Sequence, residues 1–591
     1  MSGNPGSVLQ GLFDQGQAVV VTEQIDDVIL LIGQMLHMGL PQSIDQAIPR
    51  HGPQRALSWG WTATIWLAYI LTEGDHRKVS VVEYIEKTGN SLRVLTGQSI
   101  DVMDFDDDRL THLLTHLSRD VIRDRIERVL GRNCIEVYQL KPQVVRCDTT
   151  TISGHHAVKE AGVMQWGHSK GDPTLPQCKL ATATLDVGDA GLPLATAVWS
   201  GDTADDGVYV PLATQVTDLL QQTGLLFVGD SKMSSRRNRE TIATAGQYYL
   251  CPLPLTGETA QAMPGWISDG ILKDDAQELT GIYRDHEPGQ PVLIAKAYEM
   301  ERPLLAATAT TAAVMERVLI VQSLASAHAQ GQRLENRLQA AQQALAALTP
   351  PPGRGKRQIR HESDLQAAIA AIETQHGVTG LLTVTYEREC RVETRYVGRG
   401  RGTAHREQRH REQVRYQITA VTRNDAVMAA ARQRLGWRAY VTIAPLDELS
   451  LAEAVLGYRH QYRGEHVYKR IKSHLNIEPL LVQRDDQIKG LTFLLTLGIR
   501  VLTLLEFVVR RSLAATNTTL SGLFPDRPEK ETAQPTAERL LKAFSGLTMV
   551  TIKDCTGNVL FRGLQTLSNL QSTILQVLGF EELYVNLQNS P

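Results

Sequence analysis

Three stretches hold residues whose types and spacing could do chemistry. The first is Tyr458–Lys472, reading YRHQYRGEHVYKRIK. It has no Pro and one Gly, Gly464, so it reads as one helix. At about 100° per residue, Tyr458, Gln461, Tyr462, Glu465, Lys469 and Lys472 fall on one face. A carboxylate flanked by ammonium and phenol groups suits a divalent cation beside a polyanion, because hard cations take oxygen ligands and lysines take phosphates. A charged helix face is more often simply solvated, so this stretch alone decides nothing. The second and third stretches each place an aspartate behind an apolar run. Gln143–Cys147 is β-type and Asp148 follows it; Leu225–Gly229 reads as a buried strand and Asp230 follows it. The two aspartates are 82 residues apart. Carboxylates at the ends of adjacent strands are held rigidly and can share divalent metals. Either Asp alone is more often a turn or cap residue.

The elements that must position these groups follow from the pattern. Lys179–Val187 and Leu192–Trp199 read as two strands joined at Gly188-Asp189-Ala190-Gly191, a hairpin turn. Tyr209–Leu220 reads as a helix, and a helix carrying Arg236, Arg237 and Arg239 follows the second aspartate. Before Pro142 the chain looks mostly helical. Its acidic cluster Asp101, Asp104, Asp106, Asp107 and Asp108 reads as helix capping rather than a metal site, because an apolar helical pattern opens at Arg109-Leu110. Past residue 257 the pattern changes. Leu334, Leu338, Ala341, Leu345 and Leu348 form a heptad seam, ended by Pro350-Pro351-Pro352-Gly353, and Leu365, Ile369 and Ile372 suggest a returning helix. This predicts a helical hairpin packed on itself or on a partner chain. Strand patterns resume at Leu381. From Arg388 to Arg415 there are nine Arg against four Glu, with Gly398, Gly400 and Gly402 among them. Arginine with flexible glycine suits phosphate contact, with Arg399 and Arg401 at its centre; a solvated β surface with local ion pairs is the equal alternative. The GRGRG run lacks a following GK[ST], so nucleotide hydrolysis is not indicated.

Length and composition set bounds. The chain has 591 residues, 42% hydrophobic and 21% charged, with a formal net charge of -3. Several domains are expected, and a nucleic-acid role must rest on local basic patches. Six cysteines without CxxC spacing indicate neither a zinc site nor a disulfide framework, which fits a reducing cytoplasm. The first residues lack the basic region and apolar core of a signal peptide. The most apolar segment, Leu491–Val509, contains Arg500 and Glu506 and reads as a buried helix rather than a membrane span.

With these residues assembled, the chain resembles the DDE transposases of bacterial insertion sequences. Asp148, Asp230 and Glu465 look like their three catalytic acids, and Tyr458, Glu465 and Lys472 match a Tyr-x2-Arg-x3-Glu-x6-Lys signature, with Gln461 in place of the Arg. CDTTTISG around the first acid, GHSKGDPTLPQ, SGDTADD, FVGDSKMSS around the second and LGWRAYVTIAP before the third support it. The resemblance implies an α/β, RNase H-like catalytic core in two parts, 141–256 and 441–515. A long mixed insertion, 257–440, interrupts it. A helical N-terminal domain, 1–140, which would bind DNA, and a small α+β C-terminal module, 516–591, flank it.

The implied activity is cut-and-paste transposition: cleavage of the element's ends, then joining of 3′-hydroxyl ends to target DNA. The three acids would bind two Mg²⁺, with Mn²⁺ able to substitute. Tyr458, Gln461 and Lys472 would hold DNA near the transposon end; Lys469 is added by helical geometry, and Lys232, behind the second acid, is a further DNA-binding candidate. Implied partners are double-stranded DNA, both terminal inverted repeats and target, and a second copy of the chain, in a bacterial cytoplasm at the nucleoid and without a membrane. The rivals are a divalent-metal nuclease without strand transfer and an inactive transposase-derived DNA-binding protein. Trp266 and Trp437 as base-stacking groups, and His155, His156 and His168 as metal or DNA ligands, are weaker readings than structural roles. Asp186 and Asp202 read as structural or supporting.

Overall fold

The computed structural model describes residues 18–49, 56–169, 171–287, 289–305, 314–398, 405 and 407–589. The chain forms two compact units. One comprises Met1–Cys251, Leu304–Val314 and Gly457–Pro591; the other comprises Pro252–Pro303 and Met315–Leu456. The interruption therefore opens near residue 252 and closes near 456, so residues 441–456, read as core from the sequence, lie in the second unit.

The first unit is built on a mixed sheet whose strands lie in the order Ala190–Ser200, Gln177–Val187, Val144–Ser153, Leu226–Val228, Tyr248–Pro252. The first three of these in the chain run antiparallel to one another. Leu226–Val228 joins Val144–Ser153 in parallel and Tyr248–Pro252 extends the parallel half. The strands are buried on both faces, as their near-continuous apolar and threonine runs require. The hairpin between Gln177–Val187 and Ala190–Ser200 forms as the sequence predicts, with Gly188 at φ 58°, which favours a residue without Cβ. Helix Tyr209–Leu220 packs on this sheet.

Residues 1–140 and 516–591 share this unit rather than standing apart. The strand Ala18–Gln24, which the helical reading of the N-terminal part did not include, pairs antiparallel with Thr548–Asp554, and Val559–Leu564 completes that small sheet. Helices Val28–His37, Trp59–Glu73 and Asp107–Leu117 pack against Asp485–Thr516, a helix of 32 residues. By length and composition that helix could cross a membrane, yet 89% of its most apolar window is buried inside the protein. Gly490 permits its close approach: a Cβ there would lie 2.1 Å from the Leu114 carbonyl oxygen. Arg500 and Glu127, both buried, pair at 3.1 Å within the core. The acidic cluster caps helices, as expected: Asp101 accepts from the Met103 amide at 2.9 Å and Asp106 from the Arg109 amide at 2.7 Å.

In the second unit, strands lie in the order Trp437–Thr442, Val314–Ser323, Gln290–Leu305, Thr280–Glu287. Helices Leu324–Leu348 and Glu362–His376 form the predicted hairpin. Its seam is filled within the chain: Leu334, Leu338, Ala341 and Leu345 are buried with Leu365, Val378, Leu382 and Met428. The heptad pattern thus gives no free face for a partner chain. The described strands of the arginine-rich stretch form a two-stranded ribbon, Leu382–Tyr396 against Gln408–Arg423, whose near end covers the helical hairpin.

One buried group makes stability depend on pH. Asp27, at the start of Val28–His37, accepts a hydrogen bond from Thr72 Oγ1 at 2.7 Å. Burial pushes its carboxyl from an ordinary 3.8 up to about 7. The folded state then holds a proton that the unfolded chain releases, so this group's contribution to stability is fully present below about 4 and is lost as pH rises to about 7. The slope is up to about 1.4 kcal/mol per pH unit. Asp27→Asn should flatten this fall, read as the thermal unfolding midpoint measured from pH 4 to 8 against wild type.

Candidate active site

Asp230 stands where the sequence placed it, after a short strand. Gly229 follows the strand and its amide donates to the Leu250 carbonyl at 3.2 Å. The expected helix begins later, at Arg236, with Ser235 as its cap. Asp148 differs from expectation. It sits inside Val144–Ser153, not at its end, because the β-branched run Thr149-Thr150-Thr151-Ile152 carries the strand onward, opposite Gln177–Leu180 and Ala181. On the other side the parallel ladder ends at Arg146, whose partner is Val228. Two residues beyond that pair come Asp148, still within its strand, and Asp230, past the end of the neighbouring parallel strand, each partly exposed.

Both carboxylates are held by their surroundings. Tyr209 Oη donates to Asp230 Oδ1 at 2.6 Å, and the Lys232 amide donates to the same oxygen at 2.8 Å. The Thr149 amide donates to Asp148 Oδ1 at 2.7 Å. Burial, then the charge of Asp230 and its hydrogen bond, with Asp148 adding to them, hold the Tyr209 phenol far above its usual range. It remains a neutral donor, and both aspartates bear on it. Tyr468 Oη donates to the Asp148 carbonyl at 2.5 Å and lies 2.8 Å from Thr182 Oγ1. Its phenol is raised by burial first and by Asp148 second.

Glu465 lies on Tyr462–Lys469, a helix laid across the strands that carry Asp148 and Asp186. Gly464, Val467, Tyr468 and Ile471 form its buried face at i, i+3, i+4 and i+7. Glu465 stands beside that face, one turn before Tyr468, and is exposed. Among the described residues its carboxylate has no hydrogen bond or ion pair. Also among the described residues, no three His, Cys, Asp or Glu side chains gather as a ready metal-binding group. The donor set still suits a hard divalent cation by its chemistry: two partly exposed aspartates near the ends of one parallel ladder, and an exposed glutamate on a helix packed against the first of their strands.

The expected single helix from Tyr458 to Lys472 is broken twice. Leu451–Arg459 ends first, and Tyr462–Lys469 begins after a tight turn. The cause is tertiary. Arg146 Nη1 donates to the Gly457 carbonyl at 2.9 Å, and the Gln461 amide turns to the Tyr458 carbonyl instead, at 3.1 Å. After Lys469 the chain widens into a π turn, Arg470–His474, where Arg470 is anchored to Glu506 and to Glu538. Tyr462, Glu465 and Lys469 thus keep a common face, while Tyr458 belongs to the preceding helix and Lys472 to the π turn. Lys472 is also engaged, pairing with Glu478 at 3.1 Å. Lys469 and Lys232 are exposed. Gln461 is half-buried, and both its amide oxygen and nitrogen are buried without a hydrogen-bond partner. Arg399 and Arg401 lie outside the described residues.

A charged clamp holds this arrangement. Arg146 forms two bonds to Asp186, at 2.7 and 2.8 Å, and Arg463 reaches Asp186 at 2.7 Å and Asp189 at 3.2 Å. The strand of Asp148, its neighbour and the Glu465 helix are joined through one carboxylate. Asp186 therefore has the supporting role the sequence suggested, whereas Arg146, Tyr209 and Tyr468 were not foreseen. Tyr468 was detectable as part of the apolar i, i+3, i+4, i+7 set; Tyr209 had no sequence signal beyond its place at a helix start. Three of the weaker candidates, His156, Trp437 and Trp266, have structural partners. His156 Nε2 lies 2.8 Å from the Val482 carbonyl. Trp437 is 5% exposed, donates from Nε1 to the Gln433 carbonyl at 2.9 Å and packs over Gly270. Trp266 is half-buried, and its carbonyl accepts from Tyr298 Oη at 2.7 Å.

No protein-family profile matches the chain. No curated protein matches it either. Among solved structures it is similar to a chain in the cryo-EM structure of a piggyBac transposase synaptic complex with hairpin DNA, at 9% identity over 80% of each chain, with a TM-score of 0.26. A likeness at this level says nothing about function.

Removing the clamp's carboxylate leaves the Arg146 guanidinium buried without compensation. Asp186→Ala should cost about 3–5 kcal/mol of stability. Arg146→Met added to it should restore part of that loss, read by thermal unfolding of the single and double variants.

Proposed function

We propose that this chain is a DNA transposase of the DDE kind, acting by metal-dependent phosphoryl transfer from an RNase H-like core. The observation that carries this reading is Asp148 and Asp230, each two residues past the last pair of a parallel ladder, with exposed Glu465 on a helix packed against the strand of Asp148. The antiparallel run of three strands with a parallel extension beside the first supports the reading of the core.

Asp148, Asp230 and Glu465 would hold two Mg²⁺, which supply Lewis-acid activation of the attacking oxygen and neutralise charge on the leaving oxygen. The chain's own groups orient the acids. Tyr209 and the Lys232 amide hold one oxygen of Asp230. The Thr149 amide holds one oxygen of Asp148. Because burial and the neighbouring charges keep both phenols protonated, Tyr209 and Tyr468 donate to the acid-bearing strands and do not compete as ligands. Lys469, exposed on the Glu465 face, is placed to meet a phosphate, whereas Lys472 must first leave Glu478. We assign duplex DNA as substrate, a homodimer as the active assembly because two element ends must be joined, and the bacterial cytoplasm as the compartment.

Two observations favour the inactive, DNA-binding reading instead. The three acids are not drawn into a closed set, and Gln461 stands where the signature has Arg. The test is Mg²⁺-dependent cleavage of a labelled duplex carrying the element's own end. Asp148→Ala or Glu465→Ala should lower cleavage at least about 10³-fold, the effect of losing several kcal/mol of charge stabilisation, while DNA binding persists. Binding by wild type without cleavage in Mg²⁺ or Mn²⁺ would establish the inactive reading. Cleavage without joining of the 3′ ends to a target duplex would make the chain a nuclease.

A further inference from the structure

The two-stranded ribbon of the second unit sorts its residues by face. The face carrying Leu382, Val384 and Tyr386 is turned onto the helical hairpin, where Tyr386 Oη donates to Glu362 at 2.8 Å. Farther out, the same face carries Cys390, Val392, Val414 and Tyr396, with one Arg and one Glu, Arg388 and Glu412. Val392 and Tyr396 are 55% and 47% exposed. The opposite face touches the hairpin's connecting segment through Arg415, which reaches Gln358 Oε1 at 3.4 Å, and is exposed beyond it. There Arg415 faces Glu389 and pairs with it at 2.6 Å, and Glu393 is occupied by Arg395 at 3.1 Å and by Gln413 at 2.8 Å. Arg391, Arg409 and Arg411 share that face, are exposed, and make no ion pair among the described residues. Glu393 stands directly across from Arg411, and Glu387, across from Gln417, is the carboxylate of this face without an ion pair among the described residues.

A ribbon that only needed solubility would spread charge over both faces. Here, among the described residues, three of the four arginines without an ion pair on the ribbon, Arg391, Arg409 and Arg411, lie on the outward face, and Arg388 lies on the other. Strand residues four apart span about 13 Å, and a duplex presents one phosphate charge per about 1.7 Å of axis, so this row meets several phosphates at once. The geometry points to the outward face of this ribbon as a duplex-DNA contact, with Arg391, Arg409 and Arg411 on the phosphate backbone. The inference rests on the reading of the chain as a DNA enzyme and names the surface that would carry sequence-independent affinity. Guanidinium groups on a stiff ribbon lose little freedom on meeting phosphate, which suits a clamp more than a reader of bases.

The test is fluorescence anisotropy of the full chain with a labelled duplex, without divalent metal, over a range of salt concentrations. The triple variant Arg391→Gln, Arg409→Gln, Arg411→Gln should lower the slope of log affinity against log salt by about 2–3, since each phosphate contact contributes about 0.9. The matching Lys variants should keep the slope, and Val392→Thr with Tyr396→Thr, on the other face, should leave it unchanged. Thermal unfolding of each variant at the wild-type midpoint checks that the ribbon is intact. An unchanged slope in the Gln variant, with wild type binding normally, overturns this surface and leaves the function standing. An equal loss from the Val392 and Tyr396 variant overturns the choice of face. Failure of wild type to bind duplex overturns both.

Discussion

Asp186 fixes the geometry on which everything at the candidate site depends. It lies between Arg146, buried beside Asp148, and Arg463, two residues before Glu465. A guanidinium as buried as Arg146 is tolerable only with a carboxylate in bidentate reach. Once that pair forms, the strand carrying Asp148 cannot slip against its neighbour, and Arg463 cannot leave without stranding charge. Arg146 also reaches the Gly457 carbonyl, so the same group sets where one helix stops and the next begins. Strand register, helix break and placement of the third acid are thus one electrostatic arrangement.

How much of this was legible depended on whether the determinant was local. Asp230 could be placed because Leu225–Gly229 is a short apolar run with a polar residue behind it. The hairpin at Gly188 and the capping aspartates were readable for the same reason: turn and cap chemistry is set by neighbours in sequence. Asp148 was set at a strand end because the apolar run stops at Cys147, whereas threonines continue a strand as well as valines do. The unbroken helix from Tyr458 was a sound reading of its own residues. What breaks it is a guanidinium more than 300 residues earlier in the chain. Tyr209 and Tyr468 hold the acidic strands through contacts that no spacing rule encodes.

The heptad seam gives the opposite lesson. Its spacing correctly announced a helix with one apolar stripe, but spacing does not say what covers the stripe. Leu365 from the returning helix and Leu382 from the ribbon do so here. The arginine-rich stretch was legible as charge and not as shape. Only the register between the two strands divides it into a face with paired arginines and unpaired ones and a face that is nearly neutral.

The long buried helix Asp485–Thr516 has a consequence for how the molecule is made. Its partners Val28–His37, Trp59–Glu73 and Asp107–Leu117 leave the ribosome several hundred residues before it does. Throughout that interval their apolar faces lack their final cover, and the second unit is synthesised in between. Contacts of such sequence separation close late and slowly, and the waiting surface is open to aggregation. Yield in a cell should therefore be governed by holding chaperones and synthesis rate more than by the stability of the finished fold.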